Sequence, residues 1–206
     1  MTENPELRRY LARLAGQDEA LAAIDRETGE LPEADMQSGP DLGGLLTLLV
    51  RLVAAERAVE VGTFTGYGAV CIARGLASGG RLTCFEVSER YAQIARANLE
   101  RAEVGDRVTI EVGPAADRLT ELTEIDFAYI DADKTGYPAY YETLIERLRP
   151  GGVLVLDNML RRGAVLDPQD EAARTIAALN ERIAEDERAD SVLLGLGDGV
   201  TIVRRR

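Results

Sequence analysis

The stretch RAVEVGTFTGYG (57–68) decides the fold. Its apolar run RAVEV (57–61) predicts a buried strand, and the glycines after it predict a tight turn into a helix that continues to about Leu76. Gly62 and Gly66 allow the backbone to turn sharply and to approach a ligand closely. The spacing through Gly68 is G-x-x-x-G-x-G, which differs from the G-x-G-x-x-G of dinucleotide-binding folds. Such a turn is equally consistent with an ordinary strand-to-helix connection.

Strand and helix patterns alternate along the rest of the chain. Further strands are predicted at RLTCFEV (81–87), RVTIEV (107–112), IDFAYID (125–131) and GVLVLD (152–157), with helices between them. The segment RPGG (149–152) is expected to end the helix before the last of these strands. The chain closes with two short strands around a Gly-Asp-Gly turn, SVLLGLGDGVTIVR (191–204), so the last strand should be antiparallel. This alternation predicts an α/β fold with a doubly wound, mainly parallel sheet.

Length and hydrophobic pattern predict one domain, residues 1–206. Residues 1–35 form a polar-rich helical extension, in which Leu7, Leu11 and Leu14 recur at helical spacing, and residues 41–55 form a more apolar helix. No run approaches the roughly 18 apolar residues of a membrane span. The N-terminus also lacks the apolar region of a signal peptide. We therefore expect a cytoplasmic protein with no membrane partner, whose two cysteines, Cys71 and Cys84, are buried free thiols.

Charge and composition exclude several classes of function. The net charge of −12 argues against a nucleic-acid partner, because phosphate backbones are bound by clustered Lys and Arg. The chain has no histidine, which excludes histidine bases, Ser-His-Asp and Cys-His catalysis, and histidine-containing metal sites. Lys134 is the only lysine among 24 Lys and Arg residues. A lysine can act as a base whereas an arginine cannot, although a surface charge left by a compositional bias would give the same count.

Acidic side chains follow the predicted strands at their carboxyl ends, where ligands bind in open parallel sheets. Glu86 stands 20 residues after Gly66, a position from which a carboxylate accepts hydrogen bonds from both hydroxyls of a ribose. The alternative is an exposed carboxylate that caps the next helix. The ribose interpretation does not distinguish nicotinamide from S-adenosylmethionine as the bound nucleoside.

Three oxygen-bearing side chains follow the strands 125–131 and 152–157. If both strands lie near strand 57–61, Asp131, Asp157 and Asn158 converge beside the single lysine. Two carboxylates and an amide oxygen suit a hard divalent cation such as Mg²⁺. Either aspartate on its own would be interpreted as a capping residue at the end of its strand. A dehydrogenase is disfavoured, because histidine is absent and no tyrosine stands four residues before a lysine.

Six segments of the chain resemble one enzyme family, the cation-dependent O-methyltransferases of the catechol and caffeoyl-CoA type. These segments are EVGTFTGYG, FEV, GPA, IDADKTGYPAYY, RPGGVLVLDN and GDGVTI, and the similarity runs from about Met36 to the end. The resemblance implies a Rossmann-like class I methyltransferase fold with seven strands in the order 3-2-1-4-5-7-6, the last strand antiparallel and helices on both faces. It also implies a homodimer.

The resemblance further implies a role for individual residues toward S-adenosylmethionine. Those implied to bind the cofactor are Met36 and Ser38 at its methionine end, Glu60, Gly62 and Thr63 at its amino and carboxylate groups, Gly66 and Gly68 in the turn, Glu86 at the ribose, Ala115 at the adenine, and Asp131 and Asp133. The family often has Ser where this chain has Gly68. A hydroxyl contact to the cofactor is therefore missing there, and the backbone N–H remains.

The resemblance also implies a reaction. Asp131, Asp157 and Asn158 would hold the cation, Mg²⁺ or alternatively Mn²⁺ or Ca²⁺, Lys134 would be the base, and Asp131 would also contact the substrate. Arg162 would face the substrate and favour an anionic phenol, unless it and Arg161 are solvated on a mobile loop. The hypothesis is methyl transfer from S-adenosylmethionine to a hydroxyl of a small ortho-dihydroxylated aromatic. An NAD(P)-binding oxidoreductase and a non-catalytic, dimeric nucleoside-binding protein are the alternatives.

Overall fold

A seven-stranded sheet runs through the computed structural model, which describes residues 5–206 and all their side chains except those of Pro5, Arg8 and Asp35. Residues 1–4, the start of the predicted extension, lie outside the described residues. The strand order is β3-β2-β1-β4-β5-β7-β6. The strands are β1 (Arg57–Val61), β2 (Arg81–Glu86), β3 (Val108–Val112), β4 (Ile125–Ile130), β5 (Leu148–Leu156), β6 (Ala189–Leu194) and β7 (Val200–Arg205). This order confirms the fold that the resemblance implied.

The pairing of the strands is parallel except at β7. Strand β1 pairs with β2 and β4, β2 with β3, and β4 with β5, all in parallel. Strand β7 is antiparallel to both β5 and β6, as the hairpin signal predicted. Because β1 and β4 are neighbours at the centre, the turns after β1, β2, β4 and β5 meet at one edge of the sheet.

Helices cover both faces of the sheet. They are α1 (Pro5–Leu14), α2 (Glu19–Gly29), α3 (Pro40–Leu52), α4 (Tyr67–Gly75), α5 (Glu89–Arg101), α6 (Ala116–Leu119), α7 (Tyr137–Arg147) and α8 (Glu171–Ala184). The alternation along β4 divides the core, with Phe127 and Tyr129 in one apolar cluster and Ala128 and Ile130 in the other. Over residues 5–206, no helix is both long and apolar enough to cross a membrane.

Strand β5 begins earlier than the sequence predicted. Helix α7 ends at Arg147, as expected before the RPGG segment, but β5 already begins at Leu148 rather than at Gly152. Its pairing with β4 is irregular there, because Ile125 pairs with Leu148 and Phe127 next pairs with Val153. Gly151 has a φ of 79°, a conformation that glycine adopts at little cost. The extra residues form a bulge that sequence periodicity does not reveal.

The N-terminal helices lie against the turn that follows β1. The hydroxyl of Thr28 on α2 donates to that of Thr65 at 2.8 Å, and both residues are buried. On α1, the predicted apolar positions Leu7, Leu11 and Leu14 are 40%, 39% and 59% exposed. The described part of the extension contains helices α1 and α2, and these three leucines do not enter the core. Cys71 and Cys84 are buried free thiols, which confirms that prediction.

Candidate active site

A cavity of about 800 Å³ opens at the carboxyl ends of β1, β2, β4 and β5. This is the edge at which doubly wound sheets bind ligands. The predicted site residues that line it are Met36, Ser38, Glu60, Gly62, Thr63, Gly68, Glu86, Ala115, Asp131, Asp133, Lys134, Asn158 and Arg162. Gly66 and Asp157 are not among the described residues of the lining. Gly66 has a φ of 90° and a Cβ there would lie 3.2 Å from Ala95, so its position is constrained by packing.

The glycine-rich turn is held by Glu86. This carboxylate is 6% exposed, and its Oε2 accepts hydrogen bonds from the backbone N–H groups of Thr63 (3.2 Å) and Phe64 (2.8 Å). Its Oε1 accepts from the N–H of Ser88 at 2.9 Å. At Gly62 a Cβ would lie 2.1 Å from the carbonyl oxygen of Asp131, which explains why this position has no side chain. Glu86 therefore shapes the turn as well as lining the cavity, a role that the sequence did not indicate.

Glu60 is a buried carboxyl group with an unsatisfied oxygen. It is 1% exposed, and its Oε2 has no hydrogen-bond partner among the described residues. Burial raises the pKa of Glu60 to about 8. A Cβ at Gly68 would lie 2.6 Å from Glu60 Oε1. The glycine that departs from the family's usual serine therefore leaves room for this carboxyl group. An acid placed in this way can receive a cationic group of a ligand.

Two carboxylates meet where β4 and β5 end. Asp157 is 6% exposed, and burial together with the charge of Asp131 raises its pKa to about 7. Between them lies the hydroxyl of Tyr129, which is 3.3 Å from Asp157 Oδ2, 3.5 Å from Asp131 Oδ2 and 2.9 Å from the hydroxyl of Ser38. Burial raises the pKa of Tyr129, so its hydroxyl stays protonated and can donate to a carboxylate. Asn158 follows with a φ of 57° and donates its backbone N–H to Asp157.

Lys134 lies inside this cluster. Its side chain is 11% exposed, and Nζ donates to Asp131 Oδ1 at 3.2 Å and to the hydroxyl of Tyr137 at 2.6 Å. The Tyr137 hydroxyl in turn lies 3.0 Å from the carbonyl oxygen of Asp157, to which it donates. The burial of Lys134 argues against its interpretation as a solvated surface charge. Asp131 and Asp157 lie near the lysine because β4 and β5 are adjacent, and Asn158 follows Asp157 and lines the same cavity.

Sequence reasoning missed three tyrosines of the site. Tyr129 and Tyr137 contact the carboxylates and the lysine, and the hydroxyl of Tyr140 donates to Asp133 Oδ1 at 2.8 Å. Tyr129 had a usable signal, because residues two apart on a strand point to the same face and Tyr129 precedes Asp131 by two. Tyr137 and Tyr140 lie on helix α7, and only the structure shows that the Tyr137 hydroxyl contacts Lys134 and that the Tyr140 hydroxyl contacts Asp133.

The segment after β5 places two arginines at the cavity. Arg161 and Arg162 both line it, with φ values of 49° and 53°. The backbone N–H of Arg162 donates to the carboxylate of Asp198 in the Gly-Asp-Gly turn between β6 and β7. Asp198 also lines the cavity, so the turn that predicted a hairpin is a part of the site as well.

Sequence comparison assigns the chain to a family. The sequence model of the O-methyltransferase family matches residues 12–206. The chain belongs to this family. A catechol O-methyltransferase of Mycobacterium tuberculosis is 36% identical to this O-methyltransferase, and the alignment covers 90% of this chain and 88% of the relative. The mouse catechol O-methyltransferase domain-containing protein 1 is also 36% identical, over 97% of this chain and 79% of the relative.

Structural comparison agrees with this assignment. The crystal structure of an O-methyltransferase from Bacillus cereus in complex with SAH superposes on this O-methyltransferase with a TM-score of 0.87. The two are 33% identical over 98% of this chain and 97% of the other. The protein is an S-adenosylmethionine-dependent O-methyltransferase, and the family resemblance seen in its sequence is confirmed. The oxidoreductase alternative is thereby set aside.

Proposed function

We propose that this O-methyltransferase transfers the methyl group of S-adenosylmethionine to a hydroxyl of a small ortho-dihydroxylated aromatic, with a bound divalent cation. The observation that carries the proposal is the pair of carboxylates at the ends of β4 and β5. Asp157 is buried beside Asp131, and burial, with the charge of Asp131 added to it, raises its pKa to about 7. A dication between such groups would remove their repulsion, and two adjacent phenolic oxygens could complete its oxygen ligands.

The residues present fit a hard cation. The proposed ligands are Asp131, Asp157 and Asn158, which supply only oxygen donors, the type that Mg²⁺, Mn²⁺ and Ca²⁺ prefer. Among the described residues, no three His, Cys, Asp or Glu side chains cluster as a metal site, so the amide of Asn158 is needed as the third donor. When bound, the cation would lower the pKa of a coordinated phenol hydroxyl, as it does for water. Asp131 would then contact the substrate as well.

The cofactor is proposed to lie along the turns after β1, β2 and β3. Its ammonium group would meet Glu60, whose buried Oε2 has no partner among the described groups. The N–H groups and backbone of Gly62, Thr63 and Gly68 would receive its carboxylate, and Glu86 its ribose. Ala115, buried at the start of α6, would contact the adenine. Met36 and Ser38 would cover the methionine end, and Asp133 would lie against the cofactor.

Lys134 is the proposed base. In its neutral form, Nζ accepts the proton of the attacking hydroxyl while that oxygen forms a bond to the methyl carbon. The bond from this carbon to the sulfonium sulfur breaks, which leaves S-adenosylhomocysteine, and the proton on Nζ passes to water. Tyr137 and Asp131 fix the position of Nζ through their hydrogen bonds. Holding the oxygen in line with the methyl group supplies much of the acceleration.

We also propose that residues 1–206 form one domain that is cytoplasmic and homodimeric. Two helices that pack on each other, α1 and α3, expose apolar side chains. The exposed fractions are 59% for Leu14, 54% for Leu48 and 71% for Leu52. A second copy of the chain would cover them. Two buried free cysteines suit a reducing compartment.

The test combines cofactor binding with turnover. S-adenosylhomocysteine should raise the melting temperature of the protein, and NAD⁺ should not. With S-adenosylmethionine, Mg²⁺ and catechol, mass spectrometry should detect a product heavier by one CH₂ group. Excess EDTA should abolish this product, and Mg²⁺ added beyond the EDTA should restore it. Full activity in excess EDTA would overturn the metal assignment, whereas the methyl transfer itself would stand.

A further inference from the structure

The segment that follows the proposed metal ligands has an unusual backbone. Asn158, Arg161 and Arg162 have φ values of 57°, 49° and 53°, and Gly163 follows at 87°. A left-handed conformation is unfavourable for residues that carry a Cβ and tends to persist where surrounding structure holds it, often at ligand sites. Arg161 and Arg162 are both held in this way at the wall of the cavity.

Hydrogen bonds to the hairpin β6–β7 fix this segment. The backbone N–H of Met159 donates to the carbonyl oxygen of Gly199, and that of Leu160 to the carbonyl oxygen of Asp198, both at 2.9 Å. Arg162 donates its backbone N–H to the carboxylate of Asp198. A Cβ at Gly199 would lie 2.9 Å from the nitrogen of Leu160, so the two segments are in close contact. This anchoring argues against a mobile loop, whereas the exposed side chain of Arg162 agrees with a solvated arginine at that position.

Arg161 carries a buried donor with no acceptor. Its Nε is inaccessible to solvent and has no hydrogen-bond partner among the described residues, and no ion pair within that part of the chain includes Arg161. By contrast, the Nε of Arg149 donates to Asp126 at 2.7 Å, and Arg188 pairs with Asp186. A guanidinium group has five N–H donors and cannot lose its charge, and an Nε–H without an acceptor is costly. Arg161 is only partly buried, so a ligand in the cavity that it lines can approach the rest of its guanidinium group.

We propose that Arg161 binds a carboxylate of the methyl acceptor, so that the preferred substrate is an aromatic acid with two adjacent hydroxyls. This rests on the proposed function, in which Asp131 and Lys134 hold the hydroxyl end. Arg161 stands three residues after Asn158 on the same cavity wall, and its planar fork matches a carboxylate. The net charge of −12 opposes an anion only weakly there, because distant charges are screened beyond about 8 Å at physiological ionic strength.

The test compares an acid with its neutral analogue. We would measure kcat and KM for 3,4-dihydroxybenzoate and 3,4-dihydroxybenzamide in the wild type, Arg161→Gln, Arg161→Lys and Arg162→Gln. The wild type should prefer the acid by about tenfold or more in kcat/KM, and Arg161→Gln should reduce this preference by about ten- to a hundredfold, mainly through KM. Arg161→Lys should restore part of it. The control is Arg57→Gln, an exposed arginine at the opposite edge of the sheet, which should not change the ratio.

Three results would overturn the proposal. They are an unchanged ratio in Arg161→Gln, a preference lost only in Arg162→Gln, and an affinity for S-adenosylhomocysteine that falls as much as that for the acid. If neither phenol is methylated, the proposed function fails, and calorimetry still decides the role of Arg161. In that case 3,4-dihydroxybenzoate is titrated into the complex of enzyme, S-adenosylhomocysteine and Mg²⁺. Binding that is lost in Arg161→Gln supports the proposal, and no binding or equal binding overturns it.

Discussion

Aspartates lie at both ends of strand β4, the buried Asp126 at the amino end and the partly buried Asp131, beside the buried Asp157 that follows β5, at the carboxyl end, and their surroundings differ. At the amino end, Asp126 accepts hydrogen bonds from the backbone N–H groups of Glu56 (2.9 Å) and Arg57 (2.7 Å) and from Nε of Arg149 (2.7 Å). Burial acts to raise the pKa of Asp126, but these bonds outweigh it and the pKa is lowered. At the carboxyl end, Asp131 faces Asp157, whose pKa is raised to about 7 by burial and by that charge.

The difference separates a carboxylate whose hydrogen bonds stabilise the fold from the two carboxylates that we propose to bind a cation. Every donor to Asp126 comes from the described chain, so its charge is satisfied without any other molecule. Around Asp131 and Asp157, the donors are Lys134, the hydroxyl of Tyr129 and the backbone N–H of Asn158, and the two carboxylates still raise each other's electrostatic energy. A buried carboxylate that faces a second carboxylate is costly, and the proposed cation would reduce that cost.

Replacing one aspartate near each end of strand β4 should give the largest effects, on turnover at the carboxyl end and on stability at the amino end. Asp157→Ala removes a proposed cation ligand and should lower kcat by about 10³-fold or more, since a catalytic cation contributes several kcal/mol. The affinity for S-adenosylhomocysteine should change little, and the loss of a repelling buried carboxylate should not lower stability. Steady-state kinetics, calorimetry and urea unfolding measure these three quantities.

Asp126→Asn is the matched variant at the other end. It leaves Arg149 and two backbone N–H groups without their charged acceptor, so the free energy of unfolding should fall by about 2–3 kcal/mol. Turnover per folded molecule should stay within a factor of about two. If Asp126→Asn instead abolished turnover with stability unchanged, the division between the two ends of β4 would be wrong.

Lys134→Arg tests whether the lysine at the carboxyl end of β4 is the base. Arginine keeps the positive charge beside Asp131 but cannot accept a proton. We expect kcat to fall by about 10²–10⁴-fold, the usual contribution of a general base, with the affinity for S-adenosylhomocysteine nearly unchanged. Arg57→Lys, the reverse exchange at the start of β1, is the control and should have no effect. Near-normal turnover in Lys134→Arg would show that Lys134 supplies only charge.

Much of this fold could be predicted, because burial imposes a hydrophobic period on strands and helices. The adjacency of β4 and β5, on which the meeting of Asp131 and Asp157 depends, came from the family resemblance and not from periodicity. The predicted start of β5 was wrong, because the irregular segment near Gly151 depends on how β5 pairs with β4.

The site was predicted as a set of residues but not as a set of contacts. Glu86 was expected to face a ribose, and its bonds to the N–H groups of Thr63 and Phe64 depend on a left-handed Phe64 that no sequence pattern indicates. Arg162 was named at the cavity, which both arginines line, and the buried Nε that has no partner among the described residues belongs to Arg161. Which of two neighbouring side chains turns inward depends on backbone angles that only the structure supplies.

The two ends of strand β1 differ in the same way as those of β4, in whether their polar groups find hydrogen-bond partners. At its start, Arg57 donates a backbone N–H to Asp126, and near its end Glu60 keeps an oxygen without a partner among the described residues. Burial raises the pKa of Glu60 from 4.5 to about 8. The folded protein therefore holds a proton that the unfolded chain releases above its lower pKa. Stability from this group is present below about pH 4.5 and falls as the pH rises toward 8.

Glu60→Gln should give the smallest fold-change of these variants, seen in cofactor affinity rather than in turnover, and a distinctive effect of pH. Glutamine keeps the shape of the side chain without its charge, so the ligand-free variant should be more stable than the wild type. Its melting temperature should be higher by about 2–4 °C for each kcal/mol gained in the free energy of unfolding. The difference should be larger at pH 8.5 than at pH 5. S-adenosylhomocysteine should bind it about tenfold more weakly, because its ammonium group loses a charged partner. At pH 7 the wild type should release a proton on binding as Glu60 ionises, so its calorimetric enthalpy should vary with the buffer's ionisation enthalpy. Glu60→Gln should show no such variation, and an equal variation in both proteins would place the ammonium group away from Glu60.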